Sequence, residues 1–441
     1  MTDARSIALD VLDRVCFDDA YSHIALSNAL DTSDLSGRDR GLTTELVYGV
    51  LARRRTLDVL LGRFVDRPLD DLDRPVLLSL RMAAYQLMFL DRIPDHAIVD
   101  EAVELSKTHC GGGAAGFTNG VLRSILRDSD DWEVWNDVDP DDDPVRYLGI
   151  RHSLPDWLAA RLIDTYGVEE AMRHAASFNK RPPLYFRHLD GVVDDVADDL
   201  EAVDTVPGAF RTEAMTDELA AAVEEGTIVV QDLGSQLVGH YSEPGGADRI
   251  LDACAGMGGK TLLFASLTDP ETRIVAVEPH RSKLDRLEAS AKPTQFSDRI
   301  EVLHGKLDDV GADETFDLVL VDAPCSGLGV IRRHPETRWR RTPEDIDNRA
   351  RLQTELLDQA AEHVADDGFL VYSVCSFTPE EGPERIDAFL QTHGDFERHP
   401  PSTQTDIDWS AFVDDRGDLR LNPADHDTDA FYAARLRRND D

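Results

Sequence analysis

The sequence is poor in lysine and contains no long apolar run. Only six of its 46 basic residues are lysine, and the other 40 are arginine. No stretch reaches the roughly 18 apolar residues that a membrane-spanning helix needs, and the first residues lack the basic-then-apolar order of a secretory signal. These absences exclude a membrane-spanning helix from the predicted fold and predict a cytoplasmic protein.

Cysteine is also scarce, and its placement argues against two kinds of site. The five cysteines stand singly, without the paired spacing of a zinc site, and an odd number does not suit a disulfide framework. They are Cys16, Cys110, Cys254, Cys325 and Cys375. We therefore expect free thiols and no metal centre, with Cys16 and Cys110 as small buried apolar side chains.

The charge balance is strongly acidic. The chain has 86 acidic residues and a formal net charge of -40, yet 41% of its residues are hydrophobic. A chain this apolar can fold, so the acids predict a solvated surface suited to a halophilic, salt-rich cytoplasm. An acidic protein of ordinary habitat is the alternative. Such a surface repels nucleic acid in dilute buffer, but at about 1 M salt a Debye length of roughly 3 Å leaves only local contacts.

The length of 441 residues and the changing apolar pattern predict three domains. Residues 1–135 have apolar positions three and four apart, which predicts an all-α domain with a turn at Gly111–Gly113. The acidic segment 128–144 is predicted to be a linker. Residues 145–225 combine helix and strand signals in a small α+β domain. Residues 226–441 alternate apolar strands with helices, which is typical of an α/β domain with a largely parallel sheet.

The run RILDACAGMGGKTLLFASL has the order strand, glycine turn and helix start. Gly256, Gly258 and Gly259 allow a ligand to approach the backbone, and the helix N-terminus adds positive potential. Glu278 ends the next apolar strand, where a carboxylate can accept hydrogen bonds from ribose hydroxyls. Together these residues predict a site for an adenosine-bearing cofactor. The alternative is a tight turn beside a surface acid.

Two further strands each deliver a cysteine to one edge of the predicted sheet. FDLVLVD ends at Asp322 and leads into Cys325, while GFLVYSV leads into Cys375. The carboxyl ends of parallel strands are where open α/β sheets bind ligands. A single cysteine there usually packs as a small apolar residue, but two at neighbouring strand ends indicate thiol chemistry.

Arginine is concentrated directly after the first of these cysteines. Five arginines and a tryptophan lie within ten residues, namely Arg332, Arg333, Arg338, Trp339, Arg340 and Arg341. Guanidinium groups match phosphates and an aromatic ring can stack on a base, so the cluster predicts an RNA contact. The alternative is that these arginines pair with the protein's own acids.

These motifs resemble the Sun/RsmB family of RNA cytosine-C5 methyltransferases, in its small-subunit ribosomal RNA subgroup. IPDHAIVDEAVELSK and FTNGVLRSILR look like the NusB-like RNA-binding domain of that subgroup, and NKRPPLYFR and QDLGSQLV look like its small linking domain. CAGMGGKT, DAPCSGLGVIRRHPETRW and VYSVCSFTPEE match the three signature motifs. The resemblance covers nearly the whole chain. It implies a NusB-like all-α domain, a small α+β domain and a Rossmann-like class I methyltransferase domain.

The resemblance also implies a cofactor, a substrate and roles for individual residues. The cofactor would be S-adenosyl-L-methionine, bound by the loop Cys254, Ala255, Gly256, Met257, Gly258, Gly259 and Lys260. Glu278 would hold the ribose, and Asp322 would lie by the cofactor and the target base. Cys375 would be the nucleophile and Cys325 the second thiol. The partner would be small-subunit ribosomal RNA, and the protein would act as a monomer.

Two positions depart from the family pattern. Met257 stands where the loop usually has proline, which looks tolerable because the glycines and Lys260 remain. Lys306 stands where an acid usually follows Gly305 near the adenine. Either Lys306 or Asp308 is therefore expected to contact the cofactor.

Other activities are compatible with parts of this pattern. The enzyme could methylate another RNA, or DNA with Cys325 as the nucleophile, but DNA enzymes of that type use only the cysteine after proline. They would leave Cys375 without a role. A silent assembly or antitermination factor, which the NusB-like region suggests, would leave both thiols and Lys260 idle. Methyl incorporation into RNA separates these possibilities.

Overall fold

The computed structural model describes residues 3–128, 132–189, 200–402 and 406–439. Its contacts divide the chain into two compact units. Unit 1 contains residues 1–180 and 331–341, and unit 2 contains residues 181–330 and 342–441. The three-domain division stays a prediction. In the described residues, the helices of 144–177 lie in unit 1, and the strand of 184–188 lies in unit 2.

Unit 1 is built from helices, as the apolar spacing predicted. Its helices are α1 (Ala4–Phe17), α2 (Ser22–Asp31), α3 (Gly37–Gly62), α4 (Arg74–Phe89), α5 (Asp95–Cys110), α6 (Gly112–Arg127), α7 (Pro144–His152), α8 (Asp156–Tyr166) and α9 (Val168–Ser177). Leu12, Leu46 and Leu78 lie in one core cluster and are fully buried. Cys16 and Cys110 pack half-buried against this cluster. Among the described helices, none has both the length and the apolarity to cross a bilayer.

Helix ends in unit 1 follow local side-chain chemistry. Asp3 accepts hydrogen bonds from the backbone amides of Arg5 and Ser6, which caps the start of α1. Gly111 has φ 86°, a left-handed conformation that suits glycine, and it separates α5 from α6. Because α6 begins at Gly112, the predicted turn at Gly111–Gly113 is wrong beyond its first residue.

The segment predicted to be a linker belongs partly to the core of unit 1. A short 3₁₀ helix spans Val134–Asp137, and the Val134 side chain is 1% exposed. Trp132 and Trp135 pack against the same core cluster. Residues 129–131 of the predicted linker lie outside the described residues. The prediction relied on the many acidic residues and overlooked the few apolar side chains that anchor this segment. The linker prediction is therefore wrong for the residues of this segment that pack in the core.

Unit 2 begins with a small antiparallel sheet. Its strands are β1 (Leu184–His188), β2 (Glu201–Ala202), β3 (Ala209–Thr212) and β4 (Ile228–Val230), in the order β2-β3-β1-β4, with helix α10 (Asp217–Glu224). Phe186, Phe210, Leu219 and Ile228 form its own core cluster. This sheet covers only the second half of the residues 145–225 predicted to form a small α+β domain, and residues 190–199 lie outside the described residues.

The second sheet of unit 2 carries the candidate site. Its strands are β5 (Arg249–Asp252), β6 (Arg273–Glu278), β7 (Ile300–His304), β8 (Phe316–Asp322), β9 (Val364–Val374), β10 (Phe396–Arg398), β11 (Leu419–Leu421) and β12 (Phe431–Arg438). The order is β10-β12-β9-β8-β5-β6-β7, with β11 paired to β12. Strands β5 to β9 pair in parallel, whereas β10, β11 and β12 add antiparallel pairs at one side.

Helices connect these strands, which confirms the predicted α/β, Rossmann-like fold. They are α11 (Leu233–Tyr241), α12 (Gly259–Leu267), α13 (Arg281–Ala291), α15 (Pro343–Glu362), α16 (Pro383–Thr392) and α17 (Pro423–His426), and α14 (Thr337–Arg340) belongs to unit 1. The chain passes from β5 to β6 and β7 on one side and continues with β8 on the other. Open α/β sheets bind ligands at the carboxyl ends of the strands beside such a reversal.

Candidate active site

The two predicted catalytic thiols meet at the carboxyl edge of the sheet. The Sγ atoms of Cys325 and Cys375 lie 3.2 Å apart. The cysteines follow β8 and β9, which pair in parallel register with Asp322 opposite Ser373. This pairing brings together side chains that are fifty residues apart in the sequence.

The surroundings of Cys375 oppose the ionisation of its thiol. Its hydrogen bond with Cys325, and then its burial, raise the pKa of Cys375 well above the ordinary value. Lys260 acts in the opposite direction and lowers the pKa, but it does not prevail. The charge of Lys260 therefore does not by itself keep Cys375 as a thiolate.

A buried lysine and a carboxylate lie beside the thiols. Lys260 is 8% exposed, and its Nζ donates to Asp322 Oδ2 at 2.6 Å. Ser373 Oγ donates to Asp322 Oδ1 at 2.7 Å. The Lys260 Nζ also lies 5.3 Å from the centre of the Phe431 ring. These contacts hold both carboxylate oxygens of Asp322 in place and keep the Lys260 side chain at the carboxyl edge of the sheet.

The glycine turn leads from β5 into α12 as predicted. Gly256 and Gly258 have φ 57° and 85°, a region that side chains rarely adopt. A Cβ on Gly258 would also approach Leu287 to 2.5 Å. Arg187 of the small sheet donates to the carbonyl of Gly259 at 3.3 Å. The turn therefore depends on glycine for its shape and is supported from β1.

The other residues of the predicted cofactor loop differ in exposure. Ala255 is buried, and its amide donates to the Val277 carbonyl at 2.9 Å. Met257 is 55% exposed, so a methionine in place of the usual proline meets no packing constraint there. Burial raises the pKa of Cys254, which keeps that thiol protonated. Cys254 thus suits a backbone role.

Two buried carboxylates end β5 and β6. Glu278 is 4% exposed, and its Oε1 accepts from the His280 amide at 2.9 Å, while Lys283 Nζ lies 3.5 Å from Oε2. Burial raises the pKa of Glu278, but the hydrogen bonds from His280 and the charge of Lys283 outweigh it and lower the pKa overall. Glu278 is therefore ionised at the predicted ribose position.

Asp252 is a candidate site residue that the sequence pattern did not single out. It is fully buried, and its Oδ2 accepts from Thr261 at 2.6 Å. Within the described residues its Oδ1 has no hydrogen-bond partner. Burial raises the pKa of Asp252 to about 6. The available signal was an acid at the end of a strand, two residues before the cofactor loop.

Lys306 and Asp308 both lie on the surface next to β7. Lys306 precedes a short 3₁₀ helix, Leu307–Asp309, and its amide donates to Asp309 Oδ2 at 2.8 Å. Both side chains are exposed. His304 at the end of β7 pairs with Glu278, so both residues follow the strand end beside the predicted ribose position. The choice between them stays open.

The predicted RNA contact of the arginine cluster is wrong for its buried members. The Arg338 side chain is fully buried in unit 1. Its guanidinium donates to the carbonyls of Ala52, Ser153 and Phe178 at 3.1–3.2 Å, and to Asn179 Oδ1 at 3.0 Å. Arg332 is 7% exposed and donates to a backbone carbonyl as well. Apart from Asn179 Oδ1, these partners of Arg338 are main-chain oxygens, not the acids of the alternative.

The neighbouring residues are also used within unit 1. Trp339 Nε1 donates to the Leu51 carbonyl at 2.7 Å, and Arg340 donates to the carbonyls of Val15 and Ala20. Arg333 and Arg341 are half-buried. An RNA contact stays a prediction for these two arginines, whereas the other four residues of the cluster pack within unit 1.

One group of possible metal ligands is present among the described residues. Potential ligand atoms of His23, His334 and Glu336 lie within 4.8 Å of one another in unit 1. The Glu336 carboxylate already accepts from the amide of Ser22 at 3.0 Å and from its hydroxyl at 2.8 Å, which caps α2. The expectation of no metal centre stays a prediction.

Comparisons with known proteins extend these observations. Residues 241–437 match the family model described as 16S rRNA methyltransferase RsmB/F, and residues 2–127 match the NusB family model. A Bacillus subtilis protein named "Probable ribosomal RNA small subunit methyltransferase B" is 33% identical over 99% of both chains. "Ribosomal RNA small subunit methyltransferase B" of Escherichia coli is 34% identical over 89% of this chain and 91% of its own. The crystal structure of PH0851 has a TM-score of 0.79 at 23% identity and covers 99% of both chains, so the two share a fold.

Proposed function

The chain belongs to the 16S rRNA methyltransferase RsmB/F family with an N-terminal NusB-like domain, and on that premise we propose the reaction that it catalyses. It transfers a methyl group from S-adenosylmethionine to C5 of a cytosine in small-subunit ribosomal RNA, through a covalent cysteine adduct. The observation that supports this most is the contact of two thiols, 3.2 Å apart, beside the Lys260–Asp322 pair. Relatives named for small-subunit ribosomal RNA support the substrate.

The residues at the sheet edge fit the cofactor. The turn at Gly256 and Gly258 would approach it through the backbone, at the N-terminus of α12. The ionised Glu278 would accept from the ribose hydroxyls, and the unpartnered Oδ1 of Asp252 is a further acceptor nearby in the fold. When bound, the cofactor supplies an electrophilic methyl group on a sulfonium.

The protein's own groups supply the activation of the base. C5 of cytosine is a poor nucleophile, so Cys375 must lose its proton and add through Sγ to C6, which makes C5 enamine-like. After C5 has taken the methyl group, a base removes the C5 proton, and the electrons of that C–H bond re-form the C5=C6 double bond and expel Sγ of Cys375 as a thiolate. We assign Cys325 to this release step. The base must leave any stack to reach the thiols, which costs little in a ribosomal RNA loop.

The contact of the two thiols also bears on the alternatives. A DNA-type enzyme needs only Cys325, and a silent assembly factor needs neither thiol. Neither alternative gives a reason for a second cysteine in hydrogen-bond contact with the first. The pair therefore favours the two-thiol RNA reaction.

The decisive experiment measures methyl transfer from labelled S-adenosylmethionine to small-subunit RNA that lacks the modification. We expect 5-methylcytosine after nuclease digestion and mass spectrometry, and no label in duplex DNA or with Cys375→Ala. Label in DNA alone would replace the proposal with the DNA-type reaction. RNA binding without any label, under conditions where the cofactor binds, would favour the assembly factor.

A further inference from the structure

One buried carboxylate accepts hydrogen bonds from both thiol loops. Glu381 is fully buried in unit 2. Its Oε1 accepts from the backbone amide of Ser326 at 2.7 Å, and its Oε2 accepts from Ser376 Oγ at 2.7 Å. Ser326 and Ser376 directly follow Cys325 and Cys375 in the sequence. A single side chain thus connects the residues next to both thiols.

Three further donors complete the surroundings of this carboxylate. The hydroxyl of Ser326 donates to Oε2, Thr378 Oγ1 donates to Oε2 at 3.1 Å, and Gln353 Nε2 of α15 lies 3.2 Å from Oε1. The same Gln353 Nε2 lies 3.2 Å from the carbonyl of Pro324, just before Cys325. The Glu381 backbone is held as well, since Tyr372 Oη donates to its carbonyl at 2.6 Å.

The groups around Glu381 have fixed roles as hydrogen-bond donors or acceptors. An ionised carboxylate only accepts hydrogen bonds, while a backbone amide and a glutamine Nε2 only donate. Buried polar groups need such partners, so each loop is pulled toward the same two oxygens. The positions of the residues beside the two thiols are therefore set by one side chain and not by each loop separately.

We propose that Glu381 is a positioning residue that clamps the Cys325 and Cys375 loops together, so that both thiols act on one cytosine. The Glu381 carboxylate accepts no hydrogen bond from either thiol among the described residues and acts through Ser326 and Ser376. This role of Glu381 rests on the proposed function, but the hydrogen bonds that hold the two loops together do not. The clamp can therefore be tested without methyl transfer.

Glu381→Gln is the informative substitution. Its carbonyl can take the Oε1 position, opposite the amide of Ser326 and Gln353 Nε2, which can only donate. Its NH₂ then faces the hydroxyls of Ser326, Ser376 and Thr378, which can rotate to accept. The variant should fold with a weakened clamp, whereas Glu381→Ala removes the acceptor that all five donors share.

The matched control is Asp317→Asn in the same unit. Asp317 Oδ2 accepts from the backbone amides of Asp248 and Arg249 at 2.9 and 2.8 Å, near the start of β8 and so at the opposite end of the strand from Cys325. This change also weakens a carboxylate that holds backbone amides, but it leaves the thiol loops alone. The melting temperatures of both variants are measured first, and equal values show that the two substitutions destabilise the protein equally.

The first readout is the pH dependence of Cys375 alkylation by iodoacetamide, followed by peptide mass spectrometry. Because contact with Cys325 raises the pKa of Cys375, a loosened clamp should lower the apparent pKa toward that of Cys325→Ala. Adding Glu381→Gln to Cys325→Ala should then change little. Asp317→Asn should keep the wild-type profile. A wild-type profile for Glu381→Gln would overturn the clamp, whether or not the protein methylates RNA.

The second readout is single-turnover methylation. Glu381→Gln should lower the rate at least about tenfold, the scale of a misplaced reacting group, with cofactor affinity unchanged and Asp317→Asn near wild type. If the wild-type protein transfers no methyl group, the proposed function fails and the alkylation profile alone decides on the clamp. If Glu381→Gln does not fold, Ser376→Ala removes one donor from the clamp and takes its place in both measurements, with the same outcomes.

Discussion

The Sγ of Cys325 lies 3.2 Å from the Sγ of Cys375, at the ends of two strands that pair in parallel register. In this contact one thiol is the hydrogen-bond donor and the other the acceptor. The pKa of Cys375 is raised by it, so the nucleophile must be deprotonated after substrate arrives or by a rise in pH. Cys325 thus influences the ionisation of Cys375 before the reaction begins.

Substitution of each thiol should give opposite effects on the covalent RNA adduct. Cys375→Ala removes the atom that adds to C6, so methylation and adduct should both disappear. Cys325→Ala leaves addition possible but should impair release, so the protein should accumulate on its RNA. Denaturing gel electrophoresis with labelled RNA shows the adduct as a slow band.

The double variant is the control for this experiment, because its slow band should vanish. The reverse pattern, with an adduct for Cys375→Ala and none for Cys325→Ala, would exchange the two roles. It would also revive the DNA-type mechanism.

The rate of methylation should rise with pH. Since the pKa of Cys375 lies above its ordinary value, the thiolate is the minor form at neutral pH, and its fraction grows about tenfold per pH unit below the pKa. In single-turnover measurements at saturating cofactor, the rate should follow this rise. A rate that is flat from neutral to mildly alkaline pH would show that substrate binding, or another step, supplies the deprotonation.

Glu278→Ala should weaken cofactor binding. Loss of hydrogen bonds to a charged group costs about 1.5 to 3 kcal/mol, and Glu278 is buried and ionised at the end of β6. RNA affinity should barely change. Calorimetric titration with S-adenosylmethionine measures the effect, and unchanged affinity would remove Glu278 from the cofactor site.

Asp308→Ala and Lys306→Ala test the second expected cofactor contact, since both residues are exposed after the neighbouring strand β7. Whichever of the two lowers cofactor affinity identifies the contact that the sequence left open. If neither does, the adenine is held by other residues.

Arg338→Met should destabilise unit 1 instead of flattening the salt dependence of RNA binding. The guanidinium satisfies several buried carbonyls, and leaving them without donors should cost about 3 kcal/mol. Chemical denaturation measures this loss. Arg341→Gln, at a half-buried position, should change stability by less than about 0.5 kcal/mol. A stable Arg338→Met variant would contradict the structural role.

Stability and activity should increase from dilute buffer to molar salt. The net charge of -40 produces self-repulsion and repels RNA, and both effects are screened when the Debye length falls to roughly 3 Å at about 1 M salt. Thermal melting and initial methylation rates at increasing potassium chloride measure the response. Cooperative melting and full activity in dilute buffer would argue for an ordinary acidic protein.

The catalytic domain could be predicted from local patterns in the sequence. The apolar runs that became β5, β6, β8 and β9 have the same bounds within a few residues, because strands buried on both faces need continuous apolar side chains. The linker prediction for residues 128–144 was wrong because it rested on overall composition. The many acids of this segment dominate its composition, whereas the few side chains that anchor it, such as Val134, decide its structure.

The sequence by itself determined which residues reach the carboxyl edge of the sheet, since strand ends and glycine turns are local features. It also placed Cys325, Cys375 and Glu278 there. Only the tertiary structure decided the contact of the thiols, the raised pKa of Cys375, the burial of Arg338 and the hydrogen bonds of Glu381. The physical reason is that hydrogen bonds, burial and pKa values depend on partners far away in the chain. The period of a pattern shows which side of an element is buried, but not what it is buried against.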